Sequence, residues 1–131
     1  MAVTRRRLVP TAAPWARTAG YSRAVRVGDH VAVAGTAPVA ADGSIAHPGD
    51  AYRQARLCLD ITGRALAEAG AGLEHVVRTR MFVAEGADRD AVLRAHGEVF
   101  GEIRPATTLV LVSGFVDDAI LVEIEADAIV A

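Results

Sequence analysis

The end of the chain alternates strictly between two kinds of side chain. From residue 121 onward, polar and apolar residues exchange at every step, a period of two that predicts a β-strand. One predicted face carries Leu121, Glu123, Glu125, Asp127 and Ile129, and the other carries Val122, Ile124, Ala126, Ala128 and Val130. Carboxylates about 7 Å apart on one face repel each other unless water or cations screen them. The acidic face must therefore be either a wetted surface or the partner of something positive.

The first half of the chain has strand character interrupted by loops. Residues 3–9 predict a short strand that stops at Pro10, and residues 10–20 predict a loop. Two β-branched segments, 22–27 and 30–36, flank Gly28-Asp29 and predict a hairpin. Gly35 near the end of the second segment suggests a bulge or a close backbone approach.

The pattern changes to a helical period at Asp50. Asp50 is the expected N-cap of a helix of about twenty residues that stops near Gly70. The residues of its apolar stripe are Ala51, Ala55, Cys58, Leu59, Thr62, Ala65, Leu66 and Ala69. A strand is expected over 76–83, then a shorter helix from about Asp88 to Phe100, with His96 on its inner stripe and Gly101 as its stop. Two strands close the chain.

This order, β-β-β-α-β-α-β-β, predicts one α+β domain spanning residues 1–131, with both helices packed on one face of a sheet. The opposite face then stays uncovered, and we expect Leu109 or Leu111 to lie on it beside the acidic residues. A face that mixes leucine with carboxylates suits neither burial in a core nor exposure to water. We therefore expect further copies of the chain to cover it, which predicts a homo-oligomer.

Composition restricts the chemistry more than it specifies it. The net charge is −2 and all fourteen basic residues are arginine, so nothing favours nucleic acid or an anionic membrane, and a lysine Schiff base is excluded. A single cysteine, Cys58, excludes an internal disulfide and fits a reducing cytoplasm. The four histidines lack metal-binding spacing, so a zinc site is not expected. No signal peptide and no membrane span are predicted, and we expect a cytoplasmic protein.

Four segments together resemble the RidA/YjgF family. They are AGYSRAVRVGDHVAVAGTAP, DAYRQARLCLDITGRALAEAG, VVRTRMFV and RPATTLVLV followed by VEIEADAIV, in the family's order and spacing. The resemblance implies a chorismate-mutase-like fold and a homotrimer whose sheets form a central barrel. It also implies clefts for small metabolites between subunits and cofactor-independent hydrolysis of amino-acid-derived enamines and imines to keto acids and ammonia.

Individual residues match this family unevenly. Glu123 matches the glutamate that positions the hydrolytic water, and Tyr21 and Gly35 match residues of the cleft. The family's Ser-Gly is Ala34-Gly35 here. Thr107 stands where deaminating members carry the arginine that holds the substrate carboxylate. Because a charged hydrogen bond contributes about 1.5–3 kcal/mol, a threonine cannot replace that arginine, and a changed substrate is expected.

The remaining candidates are each open to a structural alternative. We expect Arg80 or Arg104 to face Glu123 as a replacement cation, although Arg80 would equally serve in a structural ion pair with the acidic strand. His96 is a candidate proton carrier or a packing residue, and Thr107 a ligand contact or a strand former. Three functions stay open: a hydrolase that uses Glu123, a non-catalytic binder of a small metabolite, and a trimer with a protein-interaction or chaperone-like role.

Overall fold

The computed structural model describes residues 5–131. Their strands are β1 (Arg6–Val9), β2 (Ala24–Val27), β3 (His30–Thr36), β4 (Val76–Ala84), β5 (Ala106–Val112) and β6 (Val122–Ile129). The helices are α1 (Ala16–Ala19), α2 (Ala51–Glu68) and α3 (Arg89–Phe100), with a 3₁₀ turn at Leu73–His75. The predicted order of strands and long helices is confirmed. The sequence missed the single turn of α1, and the expected start of the first strand, residues 3 and 4, lies outside the described residues.

The six strands form one mixed sheet in the order β1-β2-β3-β6-β4-β5. Only β4 and β5 run parallel; every other neighbouring pair is antiparallel. The C-terminal strand β6 therefore lies in the interior of the sheet, between β3 and β4. This position fixes the acidic face of β6 in the middle of the sheet surface.

Both long helices begin at the aspartates that the sequence predicts. The Asp50 carboxylate accepts a hydrogen bond of 2.9 Å from the backbone N–H of Arg53, and that of Asp88 accepts one of 3.1 Å from Ala91. Each satisfies a backbone donor that the first helical turn leaves free. The last turn of α2 meets Arg26, whose Nη1 donates to the carbonyl oxygens of Ala69 (2.9 Å) and Gly70 (3.1 Å).

One face of the sheet and the inner faces of α2 and α3 form the core. Its fully buried large side chains include Leu59, Leu66, Met81, Phe100 and Ile124. Each contributes about 1.5–3 kcal/mol by leaving water. The core-facing residues of β6 are Val122, Ile124, Ala126 and Ala128, as the alternation predicts.

A buried amide fixes the start of β6. Gln54 on α2 is fully buried, and its Oε1 accepts a hydrogen bond of 2.8 Å from the backbone N–H of Leu121. Its Nε2 donates to the carbonyl oxygens of Ala119 (2.9 Å) and Ala46 (3.1 Å). Since every polar atom of this amide is engaged, the loop that leads into β6 has a defined position, and so has Glu123 two residues later.

The opposite, open face of the sheet carries the acidic residues and no helix. The expectation that Leu109 or Leu111 lies there is wrong. In the parallel β4–β5 pairing, these leucines are opposite Met81 and Val83, whose side chains are buried in the core. The parallel register could not be read from the sequence. Val110, 42% exposed, shares the open face instead, and coverage of this face by further copies stays a prediction.

Candidate active site on the open sheet face

Glu123 lies beside an irregularity in the neighbouring strand. The register between β3 and β6 shifts between Val33 and Thr36, and Gly35 lies within that bulge. A β-carbon placed on Gly35 would be 3.7 Å from Oε2 of Glu123. A side chain at position 35 would therefore contact this carboxylate, and glycine leaves that space free. The bulge itself is one of the two features that the sequence suggested for Gly35. On the other side, the cross-strand neighbour of Glu123 is Phe82 of β4.

Burial changes the acidity of this carboxyl group. Glu123 is partly buried, and the loss of hydration raises its pKa above the ordinary value of 4.5. The positive charge of Arg23 opposes this shift by lowering the pKa, and the negative charge of Glu125 adds to it. A carboxyl group with a raised pKa beside a defined cation is a stronger proton acceptor than a solvated glutamate, which is the property that a general base needs.

The cation that acts on Glu123 is Arg23, which precedes β2. Its Nη1 donates hydrogen bonds to the carbonyl oxygen of Gly35 (2.9 Å) and to Oγ1 of Thr36 (3.1 Å). Arg23 and Glu123 thus approach the same glycine from two sides. Sequence reasoning missed Arg23, although a period of two places it on the same face as Val25, directly before the hairpin.

Arg80 does not face Glu123, contrary to expectation. Its Nη1 lies 3.0 Å from Oε1 of Glu125 and 3.5 Å from Oδ2 of Asp127. The cross-strand register explains this choice, since Arg80 is directly opposite Glu125 on β6. Arg80 therefore forms ion pairs with two of the three carboxylates on this face. The third, Glu123, interacts with the charge of Arg23 instead.

Arg104 is also not a partner of Glu123. It lies in the exposed turn after α3, in a left-handed backbone conformation with φ of 57°. Its Nη1 donates to the carbonyl oxygen of Gly101 at 3.2 Å. This contact holds its guanidinium at the end of the helix.

Thr107 and His96 lie on the helix-covered side of the sheet. Oγ1 of Thr79, a fully buried residue of β4, is 2.6 Å from Oγ1 of Thr107 and 2.8 Å from Nε2 of His96. The His96 ring also packs against Phe100, with centroids 4.7 Å apart. Burial lowers the pKa of His96 below 6.5. Within one protomer the sheet separates His96 from Glu123, and of the two alternatives for His96 the structure shows the packing residue.

Tyr21 lines a groove next to this site. The groove has a volume of about 400 Å³ and is bordered by Arg6, Leu8, Tyr21, Ser22, Val25 and Ala34. Ala34 is the chain neighbour of Gly35, so the groove ends beside the bulge. A larger groove of about 620 Å³ on the other side of Leu8 also reaches Tyr21 and contains Arg17. We place the chemistry at Glu123 and not in the larger groove, because only the former combines a carboxylate of raised pKa with an anchored cation.

Residues 5–131 contain no cluster of three or more His, Cys, Asp or Glu side chains that could hold a metal ion. Over the same range, none of the helices has the length and apolar character that crossing a membrane requires. Cys58 is fully buried beneath β6, where its Sγ lies 3.8 Å from the carbonyl oxygen of Val122. Burial raises the pKa of this thiol far above its ordinary value, so Cys58 is a core residue and not a nucleophile.

Comparisons with known proteins agree with this architecture. The family model described as Endoribonuclease L-PSP matches residues 11–130. An uncharacterized protein of Streptomyces coelicolor is 43% identical over 122 residues, covering 93% of this chain and 90% of that protein. The 3-aminoacrylate deaminase RutC of Acinetobacter baylyi is 34% identical over 106 residues, covering 81% of this chain and 83% of that protein.

Solved structures give the same result. Rv2704 of Mycobacterium tuberculosis, a member of the YjgF/YER057c/UK114 family, superimposes with a TM-score of 0.85 at 40% identity, covering 96% of this chain and 100% of that one. The serine-bound structure of TdcF from E. coli has a TM-score of 0.78 at 25% identity, covering 95% of this chain and 94% of that one. The chain therefore belongs to the YjgF/YER057c/UK114 family, the RidA/YjgF group that its segments resemble.

Proposed function

We propose that this protein hydrolyses a small enamine, imine or related carbonyl compound on the open face of its sheet, with Glu123 as the base. The observation that carries the proposal is the setting of Glu123: a partly buried carboxyl group with a raised pKa, open on the Gly35 side and influenced by Arg23. The neighbouring carboxylates of Glu125 and Asp127 lack this setting because Arg80 contacts both.

The reaction needs no electron carrier. An enamine first isomerises to its imine, and Glu123 accepts a proton from water as the water oxygen attacks the C=N carbon. The carbon–nitrogen double bond becomes a single bond in a tetrahedral carbinolamine. Glu123 returns this proton to nitrogen, which completes the amino group. The carboxylate then takes the hydroxyl proton of the carbinolamine and passes it to the amino group, so that ammonia leaves as the C=O bond forms. Each step moves protons and electron pairs between substrate, water and one carboxyl group, so the reaction is balanced without a cofactor.

The named relatives support this class of reaction. The Acinetobacter RutC acts on 3-aminoacrylate by its name, and it matches about four fifths of this chain. We propose a changed substrate, since Thr107 supplies no positive charge and its hydroxyl contacts Thr79.

We further propose that the working form is a homotrimer. The open face carries Phe82, Val110 and the acidic row, and neither long helix of the described residues covers it. Exposed Leu8 (56%) borders the same face. Copies of the chain that cover this face would exclude water from Glu123 and strengthen its electrostatic interactions.

Ammonia release tests the proposal. The purified protein is mixed with 2-aminoacrylate, generated in place by a separate dehydratase, or with 3-aminoacrylate, and release is compared with the spontaneous rate. Faster ammonia release from either substrate supports a deaminating hydrolase. Release at the spontaneous rate with both substrates would exclude deamination of these two enamines.

The second candidate is a non-catalytic binder of a small metabolite in the same cleft. It is favoured by Thr107, whose hydroxyl is engaged within the protein, and by Ala34 in place of serine. A binder would take up a stable keto acid such as pyruvate and leave both enamines at their spontaneous rates. Saturable pyruvate binding together with accelerated ammonia release would eliminate this alternative.

A further inference from the structure

We propose that Arg23 is the anion receptor of the Glu123 site and determines its specificity, binding the substrate carboxylate that Thr107 cannot bind. This inference rests on the proposed function, since it assigns a substrate group to that site.

The anchor of Arg23 is rigid. One nitrogen, Nη1, is held by the Gly35 carbonyl oxygen and by Oγ1 of Thr36. Thr36 is only 1% exposed, and its hydroxyl donates in turn to the carbonyl oxygen of Ala34 at 2.9 Å. A guanidinium tied to a buried strand bulge through a single nitrogen loses little further freedom when a ligand binds.

The rest of the guanidinium is free to bind a ligand. Neither Nε nor Nη2 of Arg23 has a hydrogen-bond partner among residues 5–131. Over that range Arg23 also forms no direct ion pair with Glu123, although its charge lowers the pKa of that carboxyl group. The two groups are thus near enough to interact and too far apart to neutralise each other by contact. A small ligand between them would meet a cation at one end and a base at the other.

Three other arginines of the sheet, Arg7, Arg26 and Arg80, have partners away from Glu123. Arg80 contacts Glu125 and Asp127, and Arg26 caps the last turn of α2. Arg7 donates to the carbonyl oxygen of Glu68 in the same helix terminus. Arg78 is opposite Asp127, and Phe82 separates the β4 arginines from the Glu123 position.

This placement orients the substrate. Its carboxylate would lie toward the β3 bulge at Arg23, and its C=N carbon over β6 at Glu123. A planar guanidinium presents paired N–H donors that match a carboxylate, whereas an uncharged ester offers a weaker acceptor and no charge. Specificity at this site is therefore expected to depend on the charge of the ligand.

The test compares Arg23→Gln and Arg23→Lys with Arg64→Gln, which removes the same charge from an exposed position on α2. Equilibrium binding of pyruvate and of methyl pyruvate is measured by calorimetry, without turnover. We expect Arg23→Gln to weaken pyruvate binding by about 10-fold or more and to leave methyl pyruvate unaffected. Arg64→Gln should match the native protein. Arg23→Lys keeps the charge but loses the paired N–H donors of the guanidinium, so its affinity for pyruvate should lie between those of the native protein and Arg23→Gln. Arg23→Lys serves as the test if Arg23→Gln does not fold.

Native-like pyruvate binding by the Arg23 variants, or no pyruvate binding by the native protein, would overturn the inference. Kinetics separate it from the proposed function. Loss of Arg23 should raise KM for a carboxylate-bearing enamine far more than it lowers kcat. If the native protein binds pyruvate through Arg23 but releases no ammonia, the hydrolase proposal fails and the receptor stands.

Discussion

The side-chain hydroxyls of Thr79 and Thr107 lie 2.6 Å apart, and this contact ties the start of β5 to β4 on the side of the sheet that faces α3. The family resemblance implies an arginine that binds the substrate carboxylate at position 107. In this chain the Thr107 hydroxyl contacts a neighbouring strand, and we propose that Arg23 supplies the positive charge of the site.

Thr107→Val should therefore reduce stability and leave ligand binding unchanged. The substitution keeps the shape of the side chain but removes the contacts of its hydroxyl with Oγ1 and with the carbonyl oxygen of Thr79. A hydrogen bond of this kind contributes about 0.5–1.5 kcal/mol. Urea denaturation measures the loss, and Thr108→Val, on the adjacent exposed position, is the matched control. A Thr107→Val protein of native stability with weakened pyruvate binding would show instead that Thr107 contacts the ligand.

His96 should make the protein less stable in mild acid. Because burial lowers its pKa, the unfolded chain takes up a proton near pH 6.5 before the folded chain does. The unfolded state then binds more protons, and stability falls as the pH drops below 6.5 toward the folded pKa. His96→Gln keeps a hydrogen-bonding group near Thr79 and should flatten this dependence in denaturation curves recorded across that window. An unchanged slope would mean that other groups cause it.

Arg26 should stabilise the C-terminal end of α2. Its guanidinium meets the carbonyl oxygens of Ala69 and Gly70, where the helix dipole is negative. Arg26→Met keeps the aliphatic stem and should reduce the free energy of unfolding by about 1–2 kcal/mol. Arg64→Met, at an exposed position of the same helix, should change this free energy far less. Equal effects of the two substitutions would argue against a specific cap.

The ionised Glu123 side chain should lower the free energy of unfolding at neutral pH. Its pKa is raised in the folded protein, so above pH 4.5 the unfolded chain loses this proton first, and stability falls as the pH rises through the folded pKa. Glu123→Gln cannot ionise and should gain stability relative to the native protein over the same rise in pH. Thermal unfolding of both proteins at acidic and neutral pH measures this, and a stability difference independent of pH would contradict the raised pKa.

Much of the fold follows from local sequence signals. The two aspartate caps, the hairpin at Gly28-Asp29 and the alternation of β6 each depend on residues close in sequence, and the structure confirms them. The side taken by Leu109 depends on the parallel pairing of β5 with β4, which involves residues about thirty positions apart. No local period contains that information, so the sequence placed this leucine on the wrong face.

In the candidate site, too, local sequence signals predict some residues, and others depend on the pairing of strands. Glu123 and Gly35 were singled out from alternation, from the expected bulge and from family resemblance, and the structure brings them together. Which arginine accompanies them was predicted wrongly, because the partner of a carboxylate depends on register between strands. Arg80 is opposite Glu125 rather than Glu123, a difference of one pair along the strand face. Arg23 reaches the site only because the bulge at Gly35 turns a carbonyl oxygen toward it.

The most direct measurement of the central claim is the rate of ammonia release from the enamine substrates by Glu123→Gln beside Glu125→Gln. Both substitutions remove one carboxylate from the same face of β6, but only Glu123 has the raised pKa and lies beside the Gly35 bulge. The account predicts a loss of about 10²–10⁴-fold for Glu123→Gln, the usual contribution of a general base, and a near-native rate for Glu125→Gln. A native rate from Glu123→Gln would contradict it.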